Sequence, residues 1–362
     1  MTGQSLALTQ RWRDRLTDYV TAIAWSPNGA WIAATSSKGE VILFDWTRSA
    51  DQCRVTLRPA ADEAMSSLGF SSDGQYLAAA GQSGDLVVWS LQPNSQQTYP
   101  VAFRQAHSGA WIDQLAWHPT QPCLAYGIGA EVKIWDAQVA QDSPIAELDF
   151  QNSSALHLAW HPNGQRLAIS GHGGIKVWEA ADWGADPKVI AVPGASLYAA
   201  WSDDGRYLAS GNLDRTLTVV EWGNPPPWLM QGFPGKVRQV AWSNVVGQSG
   251  APLLAAACVE GVTVWLRSDG SKRDWRSQVL QHHTDRVNAI AFRPQTSMLA
   301  SAGEDGKVCF WEMKKTPTKV LKFPDGGCSC LAWHPSGDKI AIAGTAGAIG
   351  LWELESRAKG FG

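Results

Sequence analysis

The chain is 362 residues long, 44% apolar and only 17% charged, with a formal net charge of −3. That balance argues against a general phosphate-binding surface, the apolar share argues against disorder, and no window reaches the roughly 18 continuous apolar residues of a spanning helix. Six scattered cysteines are too few for a disulfide framework in a chain this long, and residues 1–16 carry no apolar stretch followed by a cleavage site, so a protein of the reducing cytoplasm is expected.

In chain order, the first element is an alternating, apolar segment over residues 5–14, beginning at Ser5. From Val20 a single unit then recurs as far as Glu353. An alternating apolar run ends in an aromatic residue, a tight turn and a Leu-Ala-like run follow, and after a Gly/Ser-rich turn a third run closes, usually on Trp. The first runs end at Trp25, Phe70, Trp117, Trp160, Trp201, Trp242, Phe292 and Trp333, spaced 41 to 50 residues apart. A period of that size marks propeller blades or helical arrays, and the local chemistry decides for strands. Turns such as Ser26-Pro27-Asn28-Gly29, His161-Pro162-Asn163-Gly164 and His334-Pro335-Ser336-Gly337 combine a fixed φ, a residue tolerant of tight backbone and a Gly that supplies positive φ. Runs such as Val41-Ile42-Leu43-Phe44 and Val132-Lys133-Ile134-Trp135 are short and rich in β-branched or aromatic residues. No stretch sustains a 3.6-residue apolar period. The repeats fall at roughly 20–46, 65–90, 112–136, 155–179, 196–221, 237–266, 287–312 and 328–353. The unit around Trp242 is the most irregular, with a long first turn from Ser243 to Pro252.

The third runs end in Phe44-Asp45, Trp89-Ser90, Trp135-Asp136, Trp178-Glu179, Val220-Glu221, Trp265-Leu266, Trp311-Glu312 and Trp352-Glu353. This pattern resembles the WD-repeat family, whose repeat ends in Trp-Asp, and the resemblance covers Val20 to Glu353. It implies an all-β fold, a closed eight-bladed β-propeller of four-stranded antiparallel blades, with residues 1–362 forming one domain. Outer strands fit between the units, for example Arg54 to Arg58, Lys188 to Val192 and Lys319 to Lys322. Glu353 to Gly362 is too short and polar to supply the last one, so the N-terminal segment is expected to complete the last blade and close the ring, protecting the sheet edges. Two family marks are faded. The opening Gly-His dipeptide is absent, with only His107 and His283 near its place, and the turn Asp survives only as Asp214 and Asp305. These two read as structural residues that bond backbone amides, and the family's buried His-Ser-Asp-Trp network is not expected in most blades.

The regular spacing of the Trp series makes it core, and truncating Trp135 or Trp311 to Ala is expected to cost roughly 3–5 kcal/mol. Trp31, Trp111, Trp183 and Trp228 fall off the repeat and are candidates for surface contact. The Trp-His-Pro histidines, His118, His161 and His334, occupy the first turns of three blades, where a role on the rim is favoured over a shared metal. Cys328-x-Cys330 lies on an inner strand, where a period of two places both thiols on one face. With His334 nearby the pair is a weak candidate for a soft metal, and buried small hydrophobes are the alternative. No cofactor and no catalytic residue is assigned, because phosphate-loop, nucleophile-elbow and zinc-protease motifs are absent. Gly171-His172-Gly173-Gly174 reads as a tight inter-strand turn.

The resemblance implies partner docking on the face that carries the turns between second and third strands and the leads into the inner strands. Residue by residue, the leading positions hold Tyr19, Ala64, Trp111, Ser154, Ala195, Lys236, Arg286 and Gly327. Two residues on stand Thr21, Ser66, Asp113, Leu156, Leu197, Arg238, Asn288 and Ser329. The turn position holds Ser37, Gln82, Leu213, Glu304 and Thr345. An interface using Tyr19, Trp111, Asp113, Leu213, Lys236, Arg238, Arg286 and Glu304 is expected, with Lys236, Arg238 and Arg286 as a small basic patch on adjacent blades for an acidic peptide or phosphate. Asn224-Pro225-Pro226-Pro227-Trp228 offers a second site as an exposed polyproline segment, or else a rigid loop. A non-catalytic scaffold for other proteins or peptides follows. The alternatives are a propeller enzyme or a metal- or small-ligand-binding protein, and an RNA-associated propeller.

Overall fold

A computed structural model describes residues 6–48, 53–95, 98–107, 109–139, 143–151, 153–247, 249–268 and 274–355. Ser5, at the head of the expected closing segment, and residues 356–362 lie outside the described residues.

Thirty-two strands form eight four-stranded antiparallel sheets. Blade one runs outward through Val20–Trp25, Ile32–Ser36, Val41–Phe44 and Arg54–Arg58. The next six follow the same order, with inner strands Met65–Phe70, Gln114–Trp117, Ala155–Trp160, Ser196–Trp201, Gln239–Val246 and Val287–Phe292. Each inner strand packs against that of the next blade, and the eighth, Cys328–Trp333, packs against the first, so the ring is closed.

The last blade takes three strands from the C-terminal end, Cys328–Trp333, Lys339–Gly344 and Ala348–Glu355. Its outer strand comes from Ala7–Arg15, paired from Ala7 opposite Glu355 to Arg15 opposite Ala348. The Leu16 amide extends this ladder to the Gly347 carbonyl at 2.9 Å.

Among the described residues the buried apolar side chains fall into eight clusters, one at each seam between neighbouring blades. An isolated blade exposes both of these faces, and stacking buries them. The aromatic residue of each inner strand lies at such a seam, and in five blades it is a Trp that also links the two blades by a hydrogen bond. The indole N–H of Trp25 donates to the Ala332 carbonyl at 3.0 Å, across the joint where the chain ends meet. Trp117, Trp160, Trp242 and Trp333 repeat this bond to Gly69, Ala116, Ala200 and Ala291.

The Trp-His-Pro histidines link forward. His118 Nε2 donates to the Gly164 carbonyl at 3.0 Å and His161 Nε2 to that of Gly205 at 3.1 Å, each in the first turn of the following blade. His334 sits on Gly29 in the same way, across the closing seam. A Cβ on Gly29, Gly164 or Gly205 would fall 2.0 to 2.4 Å from the imidazole, which is why these turns carry Gly. Extra tryptophans, Trp46, Trp183 and Trp222, pack edge-on against the inner-strand Trp of these same three blades.

Several sequence expectations are corrected. Cys328 and Cys330 do not share a face. A β-bulge between them shifts the register, so Cys328 joins the core between blades seven and eight and Cys330 packs into the one between eight and one. Among the described residues no group of three His, Cys, Asp or Glu is placed to hold a metal ion. The outer strand of blade four is Lys188–Ile190, shorter than expected.

The long turn after Trp242 is partly strand. The inner strand continues to Val246, which pairs with Pro252. The triple-proline segment is the outer strand of blade five, Asn224–Met230, rather than a free polyproline arm. Proline is tolerated on such an edge because no further strand needs its missing N–H. Of the off-repeat tryptophans, Trp31 packs on Tyr99, Trp183 on Trp160, and Trp228 on Trp275 beneath the Arg267 guanidinium. All three are half-buried, whereas Trp111 is 59% exposed.

Candidate functional site

The turns between second and third strands and the leads into the inner strands meet on one face, joined by a recurring hydrogen bond. The amides of Ser37, Gln82, Leu213, Glu304 and Thr345 donate to the carbonyls of Tyr19, Ala64, Ala195, Arg286 and Gly327 at 2.8 to 3.0 Å. The two sets of positions obtained by counting along the repeat therefore stand side by side in five blades. Their side chains emerge together because the backbone beneath them is fixed.

Around the face the expected residues divide into separate groups. On blade seven the Arg286 guanidinium binds the Glu304 carboxylate and donates through Nε to Asn288 Oδ1 at 3.2 Å. Blade eight carries Gly327 at its leading position, so no side chain there separates this pair from Tyr19 on blade one. The Tyr19 hydroxyl pKa is raised, first by burial and then by Cys330 and Glu304, with Arg286 opposing.

On blade three, Trp111 and Asp113 are exposed, and Asp113 Oδ1 accepts from the Ser66 hydroxyl of blade two at 2.8 Å. Leu213 on blade five is 42% exposed, Lys236 is half-buried, and Arg238 on blade six is exposed. On blade six a cleft of about 810 Å³ is lined by Pro234, Val259, Glu260, Val279 and His282. Arg286 is paired with Glu304, so it is not a free third cation beside Lys236 and Arg238.

The two turn aspartates have different roles. Asp305 accepts from the amides of Thr284 at 2.9 Å and Lys307 at 3.1 Å, and from His283 Nδ1 at 3.0 Å. Behind it the Trp311 indole donates to Ser301 Oγ at 2.9 Å, and Ser301 donates to His283 Nε2 at 2.8 Å. Burial alone would raise the Asp305 carboxyl, but the bonds from His283, Thr284 and Lys307 bring it down to about 2. Burial also lowers the His283 pKa, so the imidazole is neutral, as the direction of the chain of donors requires.

Asp214 is exposed and accepts from the Thr216 hydroxyl at 2.6 Å, and among the described residues no backbone amide reaches it. In blade five a buried chain through Ser196, Ser210, Asn212 and Thr218 fills the space instead. Backbone amides thus bond Asp305, whereas the bond to Asp214 comes from a hydroxyl.

The sequence reading missed what replaces the absent Gly-His dipeptide. Phe150 and Phe323 fill the place that His283 fills in blade seven. A Cβ on Gly171, Gly344 or Gly303, at the ends of the respective second strands, would lie 2.5 Å from Phe150 Cε1, 2.6 Å from Phe323 Cε1 and 2.8 Å from His283 Nδ1. Phe323 and Phe233 also pack on Trp352 and Trp265, the terminal tryptophans of their blades. The signal was an aromatic or apolar residue four or five positions ahead of Val20, Ala155, Val237 and Cys328, at or just before the starts of four inner strands: Leu16, Phe150, Phe233 and Phe323.

Eight radially arranged sheets with a loop-bearing face define a closed β-propeller. The chain belongs to the WD-repeat family. The family described as "WD domain, G-beta repeat" matches residues 9–45, 51–90, 143–179, 195–220, 275–312 and 315–353. The repeats of blades three and six lie outside these stretches, although both blades are complete in the structure.

The chain is similar to the Protein LST8 homolog of Drosophila melanogaster, 36% identical over 78 residues, which is 22% of this chain and 24% of the relative. It is also similar to the probable cytosolic iron-sulfur protein assembly protein 1 of Aspergillus oryzae, 30% identical over 142 residues, or 36% of this chain and 27% of the relative. Actin-interacting protein 1 of Caenorhabditis elegans is 20% identical over 117 residues, 32% of this chain and 19% of the relative. The matches span roughly a quarter of these relatives' lengths. No helix among the described residues is long and apolar enough to cross a membrane.

Proposed function

We propose that the chain is a non-catalytic, cytoplasmic scaffold, acting as one 362-residue unit, that holds partner proteins on the face bearing Tyr19, Trp111, Asp113, Leu213, Lys236, Arg238, Arg286 and Glu304. The observation that carries this reading is the recurring amide-to-carbonyl bond, which sets leading and turn residues side by side on a rigid ring. The exposed Trp111, Leu213 and Arg238 on that face are not used by the core, and aromatic and Arg side chains are the types that dominate protein interfaces. WD-repeat propellers generally assemble complexes. The names of two relatives, one an actin-interacting protein and one of iron-sulfur protein assembly, describe work done with other proteins. Mixed charge over the face favours a protein over a nucleic acid.

The test compares proteins cross-linked to the full chain with those cross-linked to a variant carrying Trp111→Ala, Leu213→Glu and Arg238→Glu. A control variant carries Gln75→Glu and Gln165→Glu on the opposite rim. Loss of the cross-linked partners with the face variant alone supports the proposal. Retention with the face variant, or equal loss with the control, removes it.

A further inference from the structure

Blade three carries a feature that the scaffold reading leaves unexplained. Trp111 is 59% exposed, and among the described residues no other aromatic ring packs against it. It stands at the edge of a cup of about 410 Å³, whose other walls are Asp113 and small residues, among them Gly127, Gly129, Ser154 and Ala155. At Gly129 a Cβ would meet nothing within 4 Å, so the space above the backbone there is open. Asp113 is the one charged residue lining the cup. The Ser66 hydroxyl holds its Oδ1 at 2.8 Å, and among the described residues no Lys or Arg pairs with the carboxylate.

An indole face is electronegative and attracts a cation laid over it. An unpaired carboxylate beside it adds charge and hydrogen-bond acceptors. The floor of small residues leaves room for a flat group with an apolar stem. A lysine ammonium is compact and strongly hydrated, whereas a guanidinium is planar, weakly hydrated and able to stack and pair at once. A nucleic-acid phosphate would meet Asp113 with no cation among the lining residues to offset it.

We propose that this cup receives an arginine side chain of a partner protein, stacked on Trp111 and paired with Asp113. The proposal rests on the partner-binding reading of this face and assigns one chemistry to one blade of it.

The test uses the full chain labelled with 5-fluorotryptophan, the Trp111 fluorine resonance being identified by its loss in Trp111→Phe. The probe is acetyl-Ala-Arg-Ala-amide, compared with the same peptide carrying neutral citrulline. A saturable shift of the Trp111 resonance is expected, with a dissociation constant on the order of 1 mM. Citrulline is expected to bind about fivefold more weakly, and Asp113→Asn should narrow that difference. The citrulline comparison on the unaltered chain keeps the test valid if a variant misfolds.

No shift of that resonance at several times this concentration, or an equal shift with citrulline, overturns the proposal. If the peptide fails while the face variant still loses its partners, the arginine assignment falls and the face reading stands. If arginine binds while that variant keeps its partners, the cup stands and the face reading falls.

Discussion

Replacing Asp305 by Ala is expected to destabilise the ring several times more than replacing Asp214, although the two occupy equivalent turns. The shortest hydrogen bonds that Asp305 accepts are at 2.9, 3.0 and 3.1 Å, and one of them fixes His283 at the end of the Trp311–Ser301–His283 chain. A bond to a charged acceptor contributes about 1.5–3 kcal/mol, and members of one network do not add. Leaving His283 buried without its acceptor brings the total to about 3–4 kcal/mol. Unfolding entropy of about 2.1 cal/mol/K per residue gives roughly 0.8 kcal/mol/K for this chain, so the melting midpoint should fall by roughly 4–5 °C. Asp214→Ala removes one bond from the Thr216 hydroxyl at an exposed site. It should cost below about 1 kcal/mol, or roughly 1 °C.

Calorimetry of both variants at neutral pH reads these shifts, and acid gives a second check. The Asp305 carboxyl is held at about 2, down from 3.8. Its contribution is therefore full above the unfolded value and is lost as the pH falls toward 2. The gap between the native chain and Asp305→Ala should narrow over that window. Equal midpoints for the two variants, or a gap that does not change in acid, would refute the reasoning.

Gly344→Ala should cost about 1–3 kcal/mol by driving a methyl into Phe323, and Phe323→Leu in the same chain should recover part of the lost midpoint. Trp311→Ala should cost roughly 3–5 kcal/mol because the side chain is fully buried. Trp111→Ala, at an exposed site, should stay within about 0.5 kcal/mol in the same calorimetry. His157 packs on the Tyr198 ring at 3.8 Å, and burial lowers its pKa to about 4 against a backbone hydrogen bond with Ala199. Its neutral form is the folded one, so stability is full above the unfolded value near 6.5 and declines as the pH falls from there toward 4. Allowing for partial exposure this is about 1–2 kcal/mol. His157→Gln should remove that part of the slope, and an unchanged slope would show that His157 does not titrate as described.

The blades were legible because each is specified locally, by a turn such as Ser26-Pro27-Asn28-Gly29 and by short runs ending in an aromatic residue. The closing strand was legible by subtraction, since the last blade lacked an outer strand and only the N-terminus had one spare. Local alternation failed at the inner-strand bulges. These recur between Val20 and Ala22, Met65 and Ser67, Val287 and Ala289, and Cys328 and Cys330. A bulge is set by the neighbouring strand rather than by the run itself, so Cys328 and Cys330 were assigned to one face.

The face was half legible. Counting along the repeat found its positions, but the Arg286–Glu304 pair and the Ser66–Asp113 bond join side chains 18 and 47 residues apart. Phe150 and Phe323 escaped notice because the family mark at their position is a polar dipeptide, while the space beside Gly171 and Gly344 accepts any flat ring.

Closure of the ring by the N-terminal strand is tested most directly by joining its two ends. Leu8 and Leu354 lie opposite each other in that ladder, so the full chain with Leu8→Cys and Leu354→Cys should form an internal disulfide under mild oxidation. Burial pushes the native thiols of Cys123, Cys309, Cys328 and Cys330 up to about 12, which leaves them poor competitors. Peptide mapping should recover the 8–354 linkage from a monomer. Its absence, or its appearance only between molecules, would contradict the closed ring.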